Sequence, residues 1–246
     1  MNEQYSNKKV IAAQPGPQEK FLSCAADIAL FGGSKGGGKS MGLRLDAVRH
    51  VNRAGYHAVI FRRTRSQIKG AGGLWDKSFD IYPHLGGRPN LTELSWKFSL
   101  GSTIAFTHLQ HEKDKLNWQG TEVTYFGFDQ LEEFSKSQFI FIMGCLRSLC
   151  GIKPVIRATL NPEVNWVREL VDPWIASDGY ADLNKVGKVK YLTIEDDKFV
   201  WVDKNWRDVN GNPAKTITFI NADVWDNPEL LKRNPEYLSN LYAQSY

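Results

Sequence analysis

Apolar residues along this chain fall into short runs broken by glycine and polar clusters. Asp27-Ile28-Ala29-Leu30-Phe31 is an apolar run closed by glycines and reads as a buried strand. Over residues 40–53 the spacing turns helical, with Met41, Leu45 and Val48 on one face and Arg44 and Arg49 off it. Gly55 stops that helix, and residues 57–61 form the next strand. Strand, glycine loop, helix, strand predicts an α/β fold, a mainly parallel sheet with crossover helices on its faces. Residues 94–108 hold two strand-like runs split at Gly101-Ser102, the pattern of a hairpin. Residues 123–128 and 154–160 read as further buried strands, the second ending at Asn161-Pro162. Residues 135–150 and 166–175 carry helical spacing.

Beyond Ser177 the character changes. Polar turns dominate, with strands near 189–194, 199–202 and 216–221. Asn227-Pro228 pairs a cap with a first-turn proline and opens a last helical stretch bearing Leu230, Leu231, Tyr237, Leu238 and Leu241. At the other end, Gln14-Pro15-Gly16-Pro17 disfavours regular structure, and a short helical stretch follows over 18–24. The pattern divides the chain into a core over 1–176 and a smaller C-terminal part over 177–246.

Composition narrows the class. A hydrophobic fraction of 42% against 24% charged is that of an ordinary globular chain of 246 residues, enough to bury a sizeable core. No apolar run reaches the ~18 residues of a membrane helix, and the polar stretch 1–10 is not a secretory signal. Cys24, Cys145 and Cys150 form no C-x-x-C pair and read as free thiols; with only His108 and His111 close together, zinc is not expected. The net charge of +4 is compatible with nucleic acid but does not point to it.

The glycine cluster carries the strongest chemical signal. Gly33-Ser34-Lys35-Gly36-Gly37-Gly38-Lys39-Ser40 satisfies G-x-x-x-x-G-K-[ST] at every fixed position, between a strand and a helix as the motif requires. A triphosphate must lie against backbone N–H groups, so side chains are removed and positive φ is allowed. The helix that follows points its N-terminus at the anion. Lys39 is placed to reach the β- and γ-phosphates and Ser40 to set a hydroxyl on Mg²⁺. Such a loop needs a second, metal-ordering carboxylate at the end of a neighbouring strand. The apolar run 123–128 ends in Asp129, and a carboxylate at the end of a buried strand calls for a partner or a metal. The next residue, Gln130, can hold a water but cannot take its proton. Glu132 and Glu133 follow closely, and either is a candidate base.

With these motifs in place, the chain resembles the ATPase part of phage large terminases. The resemblance rests on an ordered set: 14–21, 31–40, Trp118-Gln119-Gly120, 127–134, Ser137-Gln138-Phe139, Leu146-Arg147-Ser148, 157–162 and 226–230. It implies a P-loop fold of the additional-strand, RecA-like type. It implies ATP rather than GTP, with Gln18 reading the adenine edge. Thr159 and Asn161 would sense the γ-phosphate, and Lys35 would be the basic residue many relatives carry inside the loop. It implies Mg²⁺-ATP hydrolysis coupled to translocation of double-stranded DNA into a procapsid. The expected partners are a portal protein and a small terminase subunit. The expected setting is a ring of like subunits in the host cytoplasm, docked on the procapsid and outside the mature virion.

The sequence departs from that family at two positions. Gln130 stands where relatives usually carry the catalytic Glu, and Gln119 where some carry an arginine that reaches a neighbouring subunit. Arg147 is the first candidate for such an arginine, with Arg62 and Arg63 behind it. Relatives continue into a metal-dependent nuclease; after Asn221 only a short tail with Asp223, Asp226 and Glu229 remains, so the motor part alone is expected here. DNA contacts are expected from Arg62-Arg63-Thr64-Arg65, from a flexible loop over 69–73, and from Lys113 and Lys115. Two other readings stay open: a helicase-like translocase, and a nucleotide-gated assembly module that scarcely hydrolyses, which Gln130 favours.

Overall fold

The computed structural model describes residues 11–161 and 165–243. The stretch 1–10, and Pro162 of the expected Asn-Pro turn, lie outside the described residues.

Short α1 (Pro17–Leu22) leads into β1 (Ile28–Gly33). The glycine loop joins β1 to α2 (Lys39–Ala47), and β2 (His57–Arg62) follows. Helices α3 (Arg65–Lys69) and α4 (Leu74–Ser78) precede the strands β3 (Arg88–Asn90), β4 (Ser95–Lys97) and β5 (Thr103–His108). Then come β6 (Tyr125–Phe128), α5 (Lys136–Gly144), β7 (Val155–Thr159) and α6 (Trp166–Val171). The chain closes with β8 (Lys190–Glu195), β9 (Lys198–Val202), β10 (Lys215–Ala222), α7 (Pro228–Arg233) and α8 (Tyr237–Tyr242).

All ten strands form one sheet in the order β3-β4-β5-β2-β6-β7-β1-β10-β8-β9. The six from β5 to β10 run parallel, and an antiparallel pair extends each side. A parallel sheet needs cover on both faces, so its strands are apolar at successive positions. In β1, Ile28 and Leu30 enter one core with Phe61, Phe126, Phe139 and Trp174. Ala29 and Phe31 enter the opposite core with Phe21, Leu43, Ile60 and Trp96. The C-terminal stretch belongs to this sheet too, since β10 lies parallel against β1 with Gly33 level with Ala222.

Several boundaries differ from the sequence expectation. The helix expected to reach residue 53 ends at Ala47, whose carbonyl accepts from the Tyr56 hydroxyl at 2.9 Å. Arg44, expected off the buried face, is 7% exposed. Its Nε donates to the Ser40 carbonyl, and the Tyr82 hydroxyl donates to its own carbonyl, because α4 and the Tyr82 turn cover that side of α2. The helix expected over 135–150 stops at Gly144, after which Leu146 bridges to Val123 and the Arg147 N–H donates to the Val123 carbonyl. The basic stretch after β2 is not all loop: Thr64 caps α3 and Gln67 closes a capping box with it. A buried ion pair ties α2 to the sheet. Arg157, 2% exposed, donates to Asp46 Oδ2 at 3.1 Å and to the carbonyls of Ala26, Ile156 and Cys24.

Candidate nucleotide site

The C-terminal ends of β1, β6 and β7 bring the chemistry together, as open α/β sheets do at their ligand crevices. Gly33 ends β1 with φ +117°, where a Cβ would lie 1.9 Å from the Ala222 carbonyl oxygen; only glycine lets the loop leave the sheet here. Ser34 N–H donates to that same carbonyl at 3.1 Å. Gly38, at φ +72°, leads into α2.

Lys39 folds back over the loop. Its Nζ donates to the carbonyls of Gly33 at 2.8 Å and Ser34 at 2.7 Å and to Asn161 Oδ1 at 3.0 Å. Burial pulls its ammonium down from 10.5 to about 8, against the attraction of Glu132 and Asp129. Asp129, 4% exposed, accepts on Oδ1 from Ser40 Oγ at 2.8 Å and Thr159 Oγ1 at 2.7 Å. A hydroxyl and a carboxylate oxygen so placed form a hard oxygen donor set, which suits Mg²⁺. No group of three or more His, Cys, Asp or Glu that could hold a metal occurs among the described residues.

The two glutamates part ways. Glu132 Oε1 accepts from Asn161 Nδ2 at 2.8 Å, on the Lys39 side. Glu133 turns to Gln67 Nε2 at 3.0 Å. Gln130 adopts a left-handed backbone, φ 61°, with its N–H donating to Thr159 Oγ1 at 2.9 Å.

Gln18 is 3% exposed and engaged at both ends of its amide. It donates to the Gly38 carbonyl at 2.9 Å and accepts from Gln14 N–H at 2.9 Å. Asn227 braces the loop from the far end of the chain, donating to the Gly36 carbonyl at 2.6 Å and accepting from Gln14 Nε2 at 2.7 Å. Sequence reading took Asn227 only as a helix cap, which it also is. Ser34 and Lys35 are exposed on the loop, and Gly36 and Gly37 sit against the segment after β10.

The arginines are distributed differently from expectation. Arg62 turns inward, with Nε 3.6 Å from Asp129 Oδ2 and Nη1 donating to Gln130 Oε1 and, at 3.3 Å, to the Asp129 carbonyl. Arg63 donates to the Leu109 carbonyl and Gln138 Oε1, both at 2.8 Å. Of the expected DNA-facing cluster, Arg65, Lys69 and Lys113 are exposed, while Lys115 pairs with Glu112 at 2.7 Å. Arg147 is exposed beside Val123, at the end of β6 away from Asp129, so it is not brought to the site of its own chain. Gln119 is exposed as well.

Comparison with known proteins gives the same picture. Residues 30–245 match the family described as the N-terminal part of the terminase large subunit, T4-like virus type. No curated protein sequence matches the chain. Among solved structures, the large terminase of a thermophilic bacteriophage superposes with a TM-score of 0.57 at 11% identity, over 95% of this chain and 51% of that one. The large terminase ATPase domain of Thermus phage P74-26 superposes with a TM-score of 0.53 at 13% identity, over 96% and 89%. At these identities the likeness is one of fold, the P-loop, RecA-like α/β fold. The chain spans about half the length of the first of these two terminases.

Proposed function

Because the chain belongs to the N-terminal family of T4-like phage terminase large subunits, we propose that it is the Mg²⁺-ATP-driven motor that moves double-stranded DNA into a procapsid. One observation carries the reading: Lys39, Ser40, Asp129, Thr159 and Asn161 meet at the ends of adjacent parallel strands beside a glycine loop. Structures of the thermophilic-phage large terminase in complex with ADP and with ATP-γ-S support a nucleotide on this fold.

In this reading Lys39 exchanges the Gly33 and Ser34 carbonyls for the β- and γ-phosphate oxygens. Ser40 and Asp129 would hold Mg²⁺, which would offset the negative charge that develops in the transfer. Glu132 is the base. It lies on the Lys39 side and is held by Asn161, whereas Glu133 is turned to Gln67. Thr159 and Asn161 report the state of the γ-phosphate, one through Asp129 and the Gln130 N–H, the other through Lys39 and Glu132. Gln18 meets the adenine edge once Gln14 gives up its bond to the amide oxygen. Arg147, exposed at the opposite end of the sheet, can serve only a neighbouring subunit's site. Assembly as a ring, a portal protein, a small terminase subunit and action at the procapsid in the host cell complete the proposal. Gln130 supports a second reading, a nucleotide-gated assembly module, because its amide cannot accept a proton.

Phosphate release from Mg²⁺-ATP separates them. The motor reading expects turnover that duplex DNA stimulates and Lys39→Ala abolishes. Equal phosphate release by the native chain and Lys39→Ala overturns it.

A further inference from the structure

We propose that Arg62 is a positioning residue that fixes the polarity of the Gln130 amide, so that its NH₂ donates to an oxygen of the nucleotide's terminal phosphate. The inference rests on the nucleotide reading above and adds a role for the position where relatives carry a glutamate.

The register of the sheet brings the two residues together. Phe61 on β2 is level with Phe128 on β6, so the residues that follow, Arg62 at the end of β2 and Asp129-Gln130 just past β6, lie side by side. Arg62 is largely buried, and its guanidinium contacts Asp129 Oδ2, the Asp129 carbonyl and the Gln130 side chain, with Glu133 Oε2 at 3.9 Å. The Gln130 backbone cannot swing freely, because its left-handed turn is tied to Thr159 Oγ1. Gln130, Arg62, Ser40, Asp129 and Arg44 line one small cavity, closed on its other side by Gln67 and the 72–77 segment, with Ser40 as its link to the glycine loop.

The chemistry of the pair then dictates an orientation. A guanidinium has donors only, so the amide end that faces it must be the oxygen. The other end, the NH₂, is a donor only and is left for a ligand. A donor matches a phosphate oxygen and cannot serve as a base, so the Gln130–Arg62 pair and a separate base, Glu132, are complementary parts. A glutamate at position 130 would instead form an ion pair with Arg62 and present a second acceptor to the phosphate.

The test compares affinities for ATP-γ-S and ADP, which differ at the terminal phosphate, in the native chain, Arg62→Ala, Gln130→Ala and the double variant. The preference for ATP-γ-S over ADP is expected to fall about tenfold in each single variant, the scale of one hydrogen bond to a charged group. ADP affinity stays within about threefold, and the double variant is no worse than the singles because Arg62 acts through Gln130. Arg62→Lys, still a pure donor, keeps the preference within about threefold. Gln130→Glu, which keeps Arg62 partnered if Arg62→Ala does not fold, loses the preference as Gln130→Ala does. An unchanged preference in Arg62→Ala or Gln130→Glu overturns the proposal, as does a double variant that loses the product of both singles. These affinities are read without turnover. A chain that binds but does not hydrolyse therefore refutes the motor reading and leaves this result intact.

Discussion

Raising the pH is expected to weaken nucleotide binding through one side chain, Lys39. Its ammonium is held among the Gly33 and Ser34 carbonyls and Asn161, and burial lowers it from 10.5 to about 8 despite Glu132 and Asp129 nearby. The sign follows directly. The charged lysine is the form that binds phosphate, it predominates below about 8, and it is lost as the pH rises through that value. The charged fraction falls from about nine-tenths at pH ~7 to about one-tenth at pH ~9, so the apparent Kd for Mg²⁺-ATP rises roughly tenfold between them. A lysine left at 10.5 would give almost no change over that window. The assay is an equilibrium titration with a fluorescent ATP analogue across that range, repeated with Lys39→Arg. The guanidinium stays charged throughout, so that variant is expected to bind more weakly but with a flat pH profile. A flat profile for the native chain would refute this, because it would mean that Lys39 is either not desolvated or not required in its charged form.

Other consequences follow from the same geometry. Glu132→Gln is expected to lower turnover by about a hundredfold or more, the scale of a lost general base, while Glu133→Gln stays within about threefold; comparable losses in steady-state phosphate release would show that Glu132 is not the base. Arg157→Met leaves the buried Asp46 carboxylate with Arg49 as its remaining cation and takes a donor from three carbonyls. It is expected to cost about 3–5 kcal/mol, a fall of roughly 10 °C in Tm by calorimetry. Pairing it with Asp46→Asn should recover part of that loss. Gly33→Ala, whose Cβ would meet the Ala222 carbonyl oxygen at 1.9 Å, is expected to prevent stable folding or to displace β10 from β1, read by hydrogen exchange in β10.

What the sequence made legible was local. The continuous apolar runs of β1, β2, β6 and β7 and the glycine loop could be read directly, because a buried parallel strand and a phosphate loop each impose their residue types over a few consecutive positions. So could the strands β8 and β9, though not their pairing as a hairpin, whose turn places Asp196 and Asp197 at positive φ. What failed was direction. Arg62, Arg63 and Arg65 looked like one basic patch, yet the first two turn inward and the third outward. Arg62 turns in because β6 lies beside β2, and Arg63 because Leu109 and Gln138 are brought to it, neighbour relations that chain order does not display. Arg44 was misplaced for a similar reason: helical periodicity assumes one solvent face, and α2 is covered on two. Glu132 and Glu133 could not be told apart until Asn161 and Gln67, distant in sequence, were seen to claim one each. β3 escaped notice because Arg88-Pro89-Asn90 at a sheet edge has turn composition.

The central claim is that the glycine loop and Asp129 form one Mg²⁺-ATP-hydrolysing site. Single-turnover release of the γ-phosphate from bound Mg²⁺-ATP, compared between the native chain and Asp129→Asn, tests it most directly. Release by the native chain is expected, with ATP that stays bound and uncleaved on Asp129→Asn, at least a hundredfold slower by the usual scale of lost electrostatic stabilisation. Release at the same rate by both would contradict it.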